Sequence, residues 1–217
     1  MMTGLLIKDL KLMMMQRNAL LMVGVIAVMV VMGGTDPSFV ITYLTFIGVM
    51  YTMNTLSYDG ADNGNAFLFS LPITRKGYVV EKYVFGLLGG SVLCLFGAAL
   101  TCVASAAKGA FSAPYILANV FVEFPLMMII LSILLPIELK FGAEKARIII
   151  VVMTFLIFAI GVAVVKSGKS IPLALTNWFG QIEQKPELAA VAALAAGIIV
   201  LGISCRISIG IMNKKEF

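Results

Sequence analysis

Residues 57–83 read SYDGADNGNAFLFSLPITRKGYVVEKY, and this stretch decides how the rest of the chain is arranged. It is the longest polar interruption in the first half of the chain, and long apolar runs lie on both sides of it. Its first part has the Asp, Asn and Gly composition of a loop. An apolar segment around Phe67 follows, then a break at Pro72 and a basic end. The pattern predicts a short helix between two membrane spans. Its exposed apolar face could bind a soluble partner.

The composition places the chain in a membrane. Of its 217 residues, 61% are apolar and only 12% are charged, whereas soluble domains contain about 45–50% apolar residues. We therefore interpret residues 1–217 as one integral membrane domain without a sizeable soluble part. The chain has no histidine, which removes the commonest general base and the commonest neutral metal ligand.

Six apolar runs predict an all-α integral membrane protein with six transmembrane helices. The first run is shorter than the roughly 20 residues that a spanning helix needs, and neighbouring residues could extend it. In residues 1–18, leucines and methionines at helical spacing lie opposite Lys8 and Lys11. This predicts an amphipathic helix in the interface plane, or alternatively a cytoplasmic extension of the first span. The six runs are 19–32, 37–56, 83–106, 115–135, 148–165 and 188–209.

The lysines and arginines indicate the orientation of these spans. Twelve of the 16 lie before residue 18, within 57–82, within 136–147 or after residue 205, and four lie in the other connections. The positive-inside rule then predicts cytoplasmic termini and a cytoplasmic 57–82 loop. On the outer side, residues 166–187 are partly apolar and contain the only tryptophan. They predict a re-entrant or interfacial segment, with an ordinary outer loop as the alternative.

Several chemistries find no support in the sequence. The G-x-x-x-x-G-K-[ST] motif is absent, so any ATP that drives this protein is bound by another chain. Without histidine or paired intramembrane carboxylates, neither a metal centre nor a hydrolytic site is expected, and the chain is not predicted to be an enzyme. The three cysteines, Cys94, Cys102 and Cys205, lie inside apolar runs and are interpreted as packing residues rather than disulfide partners.

Glu123 is the one carboxylate inside an apolar run. A charge near the centre of the bilayer costs at least ~2.5–3.5 kcal/mol, so such a residue faces a bundle interior or a cavity by default. Pro125 breaks the backbone nearby. Glu123 is therefore a substrate-pathway candidate that lines or gates the route. The alternative is that it sits at the end of a broken or shallow helix and reaches the lipid headgroups.

Small residues recur every four positions along the third run. Residues of this size at this spacing let two helices approach closely. Two readings stay open: the small residues pack helices within one subunit, or they form an interface between subunits. The helix-packing candidates are Gly86, Gly90, Cys94 and Ala98.

Three stretches carry a resemblance to a known family: LIKDLKL at 6–12, LFSLPITRKGYVVEKY at 68–83 and LKFGAEKAR at 139–147. The chain resembles the type-2 permease (membrane subunit) family of ATP-binding-cassette exporters, especially its short bacterial branch. The first stretch is similar to the family's interfacial helix and the second to its cytoplasmic loop. The third is similar to the loop before the fifth span. Residues 166–187 would match the family's outer helices between spans five and six.

The resemblance implies a multi-pass permease of the bacterial cytoplasmic membrane. It would form a homodimer and bind a cytoplasmic ATPase subunit, which holds the ATP and Mg²⁺. The short branch resembles exporters of antimicrobial or amphipathic peptides, or of similar hydrophobic substrates. A non-transporting polytopic scaffold or assembly factor is the alternative. No nucleic acid is an expected partner, because no basic patch with interleaved aromatic residues occurs.

Within this reading, the central loop couples ATP hydrolysis to the spans. A helix stopped by Pro72 would present aromatic anchors to a pocket of the ATPase, and Thr74 would cap the following helix. The basic pair would meet an acidic rim. The alternative is that the aromatic side chains only rest on the lipid surface. The predicted ATPase-coupling residues are Phe67, Leu68, Phe69, Leu71, Arg75 and Lys76.

Overall fold

A computed structural model describes residues 2–34, 36–61, 64–109, 111–166 and 186–215. Throughout these ranges the regular structure is helical. We number eight helices in chain order: α1 (Met2–Met15), α2 (Arg17–Met32), α3 (Pro37–Gly60), α4 (Gly64–Ser70), α5 (Arg75–Ala107), α6 (Ala113–Phe141), α7 (Ala143–Lys166) and α8 (Pro186–Asn213).

Local sequence signals set the helix ends. The carboxylate of Asp36 accepts the backbone N–H of Ser38 at 2.9 Å and caps α3, whose first residue is Pro37. Proline suits this position because its missing N–H would have no helical partner there. At the C-terminal end of α6, Gly142 has φ +78° and separates α6 from α7. Its ψ is 166°, and glycine adopts this positive-φ conformation far more readily than other residues do.

Helix α3 lies at the centre of the bundle. Its most extensive contact is with α5, and it also packs against α6. Helix α8 packs on α6 and α5, while α7 lies mainly against α6. Helix α1 crosses both α5 and α3. The largest buried cluster joins α3, α5, α6 and α8, and Leu5 of α1 contributes to it.

Glycine brings α3 and α5 together. A Cβ atom placed on Gly48 would lie 2.7 Å from the carbonyl oxygen of Gly89 and 2.8 Å from the Cα of Gly90. Real Cβ atoms do not approach a neighbouring backbone that closely. The two helices therefore touch backbone to backbone at this level, as small residues permit between membrane helices.

The helices have two distinct ends. One, which we call the α4 end, holds α1, α4, the ends of α3, α6 and α8 and the starts of α5 and α7. At the opposite end, Lys108 donates to the carbonyl oxygen of Val31 at 2.9 Å. Tyr115 donates to Asp36 there at 2.9 Å. The Ser38 backbone N–H, its hydroxyl and Tyr115 lower the pKa of the Asp36 carboxyl.

The structure confirms an all-helical protein but does not confirm six spans. Among the described residues, four helices are long and apolar enough to cross a membrane: Pro37–Gly60, Arg75–Ala107, Ala113–Phe141 and Ala190–Asn213. The pair α1 and α2, bent by 68°, would add a fifth. Helix α2 has only 16 residues, fewer than the roughly 20 that a span needs, so it reaches that length only together with α1. Helix α7 covers the fifth predicted run without adding to this count.

The structure does not test the interfacial position of the N-terminal helix or the predicted outer segment 166–187. Residues 2–15 are helical as expected, but α1 buries Leu5 and Asp9 against the bundle, and its position at a membrane interface is not confirmed. The predicted outer segment 166–187 falls almost wholly on residues 167–185, which lie outside the described residues. The predicted 57–82 loop is largely helical, because α3 continues to Gly60 and α5 begins at Arg75.

Candidate functional site

Helix α4 is a short platform fixed to the bundle by one face. Leu68 is buried in the main apolar cluster. The half-buried ring of Phe69 meets the ring of Tyr78 edge to face, with centroids 5.5 Å apart. By contrast, Phe67 is 72% exposed and Leu71 is 44% exposed. The four apolar coupling candidates therefore divide into two that hold the helix and two that it presents outward.

The residues after α4 follow the sequence prediction. Helix α4 ends at Ser70, just before Pro72, and the hydroxyl of Thr74 accepts the backbone N–H of Gly77 at 3.1 Å to cap α5. The predicted helix stop and helix cap are both confirmed.

The two basic coupling candidates differ in their surroundings. Arg75 donates to the carbonyl oxygens of Met212 and Asn213, at 3.1 and 2.8 Å, and so binds the end of α8. Lys76 is exposed. The guanidinium of Arg75 thus joins the start of α5 to the end of α8, and Lys76 is the exposed basic residue of the two.

Beside α4 lies a buried ion-pair network that joins three helices. Lys82 of α5 binds Asp9 of α1, and its ammonium is 2.8 Å from an Asp59 oxygen at the end of α3. Lys8 binds Asp59 as well and lies 3.1 Å from Asp9. The side chains of Lys82 and Asp9 are fully buried. Buried charges are tolerated only when they are paired in this way.

Hydrogen bonds extend this network towards α4. The hydroxyl of Tyr78 donates to Asp59 at 3.0 Å, and the Lys82 ammonium donates to Thr55 at 3.2 Å and lies 5.3 Å from the centre of the Tyr78 ring. Because the same Tyr78 ring contacts Phe69 of α4, one side chain touches both the platform and the ion pairs. Glu81 is also fully buried, and neither of its carboxylate oxygens accepts a hydrogen bond from the described part of the chain.

One turn further along α5, a second polar chain ties α5 to α8 and α6. The hydroxyl of Tyr83 lies 2.6 Å from that of Ser204 and 2.9 Å from that of Ser208. Ser204 in turn donates to the backbone carbonyl of Ser132 at 2.6 Å. Tyr78 and Tyr83 therefore connect the start of α5 with α3 and α8, and through Ser204 with α6.

Glu123 lies apart from this site. Its side chain is buried, and Thr42 of α3 donates a hydrogen bond to one carboxylate oxygen. The other oxygen is buried without a hydrogen-bond partner among the described residues, as is the amide nitrogen of Asn119 one turn earlier on α6. The side chain of Glu123 thus extends from α6 towards α3. Its assignment to a substrate pathway stays a prediction.

The helix-packing candidates face neighbouring helices of the same chain. A Cβ atom on Gly86 would lie 2.6 Å from a methyl carbon of Leu131, and one on Gly90 would lie 2.2 Å from the sulfur of Met127. Cys94 is buried, and Ala98 packs on the cluster that contains it. In this structure the stripe packs α5 against α6 and α3.

Sequence reasoning missed the ion-pair network. The local sequence gives no clear signal for it, because Asp9 lies between Lys8 and Lys11 and Asp59 lies in the Asp, Asn and Gly stretch that resembles a loop. The spacing between Lys82 and its partners along the chain gives no indication of their contact.

The comparison with protein families agrees with this architecture. The family model described as "ABC-2 family transporter protein" matches residues 4–213. The chain belongs to the ABC-2 transporter family. This confirms the resemblance stated from the sequence and identifies a multi-pass membrane permease. Members of the family are permease subunits that work with an ATP-binding-cassette ATPase and are generally not enzymes themselves. No curated protein and no solved structure gives a significant match.

Proposed function

We propose that this ABC-2 permease is the membrane-spanning subunit of a bacterial exporter. In this proposal it moves an amphipathic or antimicrobial peptide, or a similar hydrophobic substrate, out of the cell with energy from ATP. A separate cytoplasmic subunit binds the ATP and Mg²⁺ and hydrolyses the ATP. Family membership supports the transport role, and no observation favours the alternative of a non-transporting scaffold.

The observation that carries the coupling role is the exposure of Phe67 on a helix that is otherwise anchored. Its neighbours Leu68 and Phe69 hold α4 against the core, so the exposed ring stands on a rigid base. Large aromatic side chains that enter a partner's pocket dominate the binding energy of many interfaces. A base with little freedom also keeps the entropic cost of binding low. Phe67 and Leu71 would therefore contact the ATPase, and Lys76 would lie at the rim.

The same arrangement offers a route for force. A displacement of α4 reaches the Tyr78 ring through Phe69, and Tyr78 holds Asp59 at the end of α3. Asp59 shares Lys82 with Asp9, which brings in α5 and α1. Coupling of this kind needs rigid contacts with more than one discrete arrangement. The exchangeable partners of Lys8 and Lys82 would supply such arrangements.

The orientation and the assembly complete the proposal. The distribution of lysine and arginine favours a cytoplasmic location for the α4 end and both termini. Lys8, Lys82 and Lys215 all lie at the α4 end. Two copies of the permease would pair with two ATPase subunits in the bacterial plasma membrane, as the family resemblance implies.

A binding experiment with a matched control tests the coupling role. Phe67→Ala should weaken binding of the cognate ATPase to the detergent-solubilised permease about 30-fold, because a buried aromatic anchor contributes roughly 2 kcal/mol or more. Phe155→Ala is the control, since Phe155 on α7 is 71% exposed, nearly the same as Phe67. The affinity is measured by titrating labelled ATPase against the immobilised permease.

Transport is measured on the same variants in proteoliposomes. Phe67→Ala should reduce both substrate-stimulated ATP hydrolysis and peptide movement, whereas Phe155→Ala should affect neither. Full ATPase binding and normal stimulated hydrolysis in Phe67→Ala would place the coupling contact elsewhere, with residues 136–147 as the next candidate.

A further inference from the structure

The α4 end contains a cavity of about 340 Å³ between the ends of α3, α6 and α8 and the starts of α4 and α7. Gly142 and Ala143, where α6 ends and α7 begins, form part of its wall. The volume lies in the range of small-molecule sites. The walls are mixed: Leu56, Leu139 and Met212 are apolar, and the remaining side chains are mostly polar.

Glu138 is the central polar group of this cavity. The residue is only 5% exposed, yet its carboxylate lines the cavity and forms no salt bridge within the described part of the chain. Its one hydrogen-bond donor is the hydroxyl of Ser57 at 2.9 Å. That hydroxyl lies equally close, 2.9 Å, to the carbonyl oxygen of Met53. A hydroxyl has a single proton to donate, so the two acceptors compete and the carboxylate is poorly satisfied.

Two further residues with acceptor groups line the same space. The side-chain oxygen of Asn65 on α4 is buried and accepts no hydrogen bond from the described residues, although Asn65 lines the cavity. Glu144 stands at the exposed rim at the start of α7. Lys215 also lines the cavity and has an interaction of its own. Among the residues that line the cavity there are thus two carboxylates and one ammonium group.

Such walls favour an occupant that carries several N–H donors and a positive charge. Buried acceptors without donors cost free energy, and a charge-assisted hydrogen bond to a carboxylate is about twice as strong as a neutral one. An anion would instead meet Glu138 and Glu144. The apolar surface of Leu56 and Leu139 suits a short carbon chain attached to the cationic group.

We propose that this cavity is a binding site for an organic cation, an ammonium or guanidinium group on a short carbon chain. Glu138 is the ionic partner, and the Asn65 side-chain oxygen accepts a further N–H. Because Asn65 belongs to α4, the bound cation links the proposed coupling platform to α6. The cationic group could belong to a free small molecule or to a basic side chain of a peptide. The site does not depend on the transport role, since binding requires neither ATP nor the ATPase.

The test uses the full chain purified in detergent. Binding of n-butylammonium and n-butylguanidinium is measured by calorimetry and by the rise in unfolding temperature. 1-Butanol and n-butyrate, which match them in size, serve as the neutral and anionic probes, and the ionic strength is kept constant. A blocked tripeptide with a central lysine distinguishes the sources: it binds if the site accepts peptide side chains and fails if only free cations enter.

Variants locate the binding. Glu138→Gln should weaken binding of the cationic probe about tenfold or more, because a hydrogen bond to a charged group contributes roughly 1.5–3 kcal/mol. Asn65→Leu should weaken it less, and it provides a second measurement if Glu138→Gln does not fold. Asp36→Asn, which removes a carboxylate at the opposite end, should leave the affinity unchanged. Asparagine is as good a helix cap as aspartate, so this control keeps its fold.

Lys215→Ala tests whether the site prefers a cation or an anion. If the ligand is a cation, removal of this ammonium preserves or strengthens binding of n-butylammonium. The proposal is overturned if n-butyrate binds as well as the cations and Lys215→Ala abolishes that binding. It is equally overturned if wild type and both cavity variants, Glu138→Gln and Asn65→Leu, respond identically to n-butylammonium.

Discussion

Helix α5 passes through two regions that are held together in opposite ways. At its start, Lys82 is buried among carboxylates from two other helices. Further along, Gly86 and Gly90 lie against the side chains of Leu131 and Met127 on α6, and Gly89 and Gly90 lie against the backbone of α3 at Gly48. The first contact depends on charge pairing. The second depends on a close fit of small residues.

This difference suggests a division of labour along one helix. The glycine contact fixes the separation of α3 and α5, so that a movement applied at one end is carried along a rigid pair. The ion-pair network lies beside α4, where a partner would apply that movement. Each of the ammonium groups of Lys8 and Lys82 lies within ion-pair distance of both Asp9 and Asp59.

The largest effect is expected for Lys82→Ala. Removing the ammonium leaves the buried carboxylates of Asp9 and Asp59 with Lys8 as their one remaining shared cation among the described residues, and breaking a buried pair costs about 3–5 kcal/mol of folding free energy. Unfolding of the detergent-purified chain by heat and by denaturant measures the loss. Lys76→Ala is the control, because it removes the same charge from an exposed position on the same helix and should cost less than about 0.5 kcal/mol.

A double variant separates charge from packing in this region. Lys82→Met combined with Asp9→Leu should recover part of the stability lost in Lys82→Ala, because apolar replacement of both charges removes the desolvation penalty. If Lys82→Ala is as stable as Lys76→Ala, the network contributes nothing, and the comparison between the two regions fails.

The sequence predicted the shape-based region better than the charge-based one. The spacing of Gly86, Gly90, Cys94 and Ala98 is a local pattern, so it could be recognised without knowing which helices they face. The end of α4 before Pro72 and the Thr74 cap were predictable for the same reason, since both signals lie within a few residues. The ion pairs join positions far apart in the chain, and no local pattern encodes them.

The lengths of the helices and the burial of their side chains were harder to predict. Hydropathy recognised the apolar runs, but the helices extend beyond them wherever polar side chains find partners, as α3 does to Gly60 and α5 does from Arg75. The exposed faces of Leu68 and Phe69 were also overestimated, because the sequence could not show that Tyr78 and the core would cover them. Burial depends on the tertiary neighbours, and those were not visible in the pattern.

A smaller effect is expected for Gly48→Ala in the glycine region. The added Cβ would lie 2.7 Å from the Gly89 carbonyl oxygen, which belongs to the backbone and cannot rotate away. Overpacking of this kind typically costs about 1–3 kcal/mol. Gly24→Ala is the control, because no atom lies within 4 Å of its added Cβ, and it should be neutral or slightly stabilising. Equal unfolding temperatures for the two variants would mean that α3 and α5 are not in close contact.

The smallest effect on stability is expected for Glu123→Gln. Glu123 lies outside both regions and is tested by its effect on transport. Glu123→Gln keeps an oxygen to accept the Thr42 hydroxyl and should cost less than about 1 kcal/mol, whereas Glu123→Leu leaves that hydroxyl unpaired and should cost about 1–3 kcal/mol. One Glu123 oxygen is buried with no partner among the described residues, which a purely structural role would not require. We therefore expect Glu123→Gln to slow export in proteoliposomes while ATPase binding stays normal. Export at the wild-type rate by both variants would make Glu123 a packing residue of the α3–α6 contact.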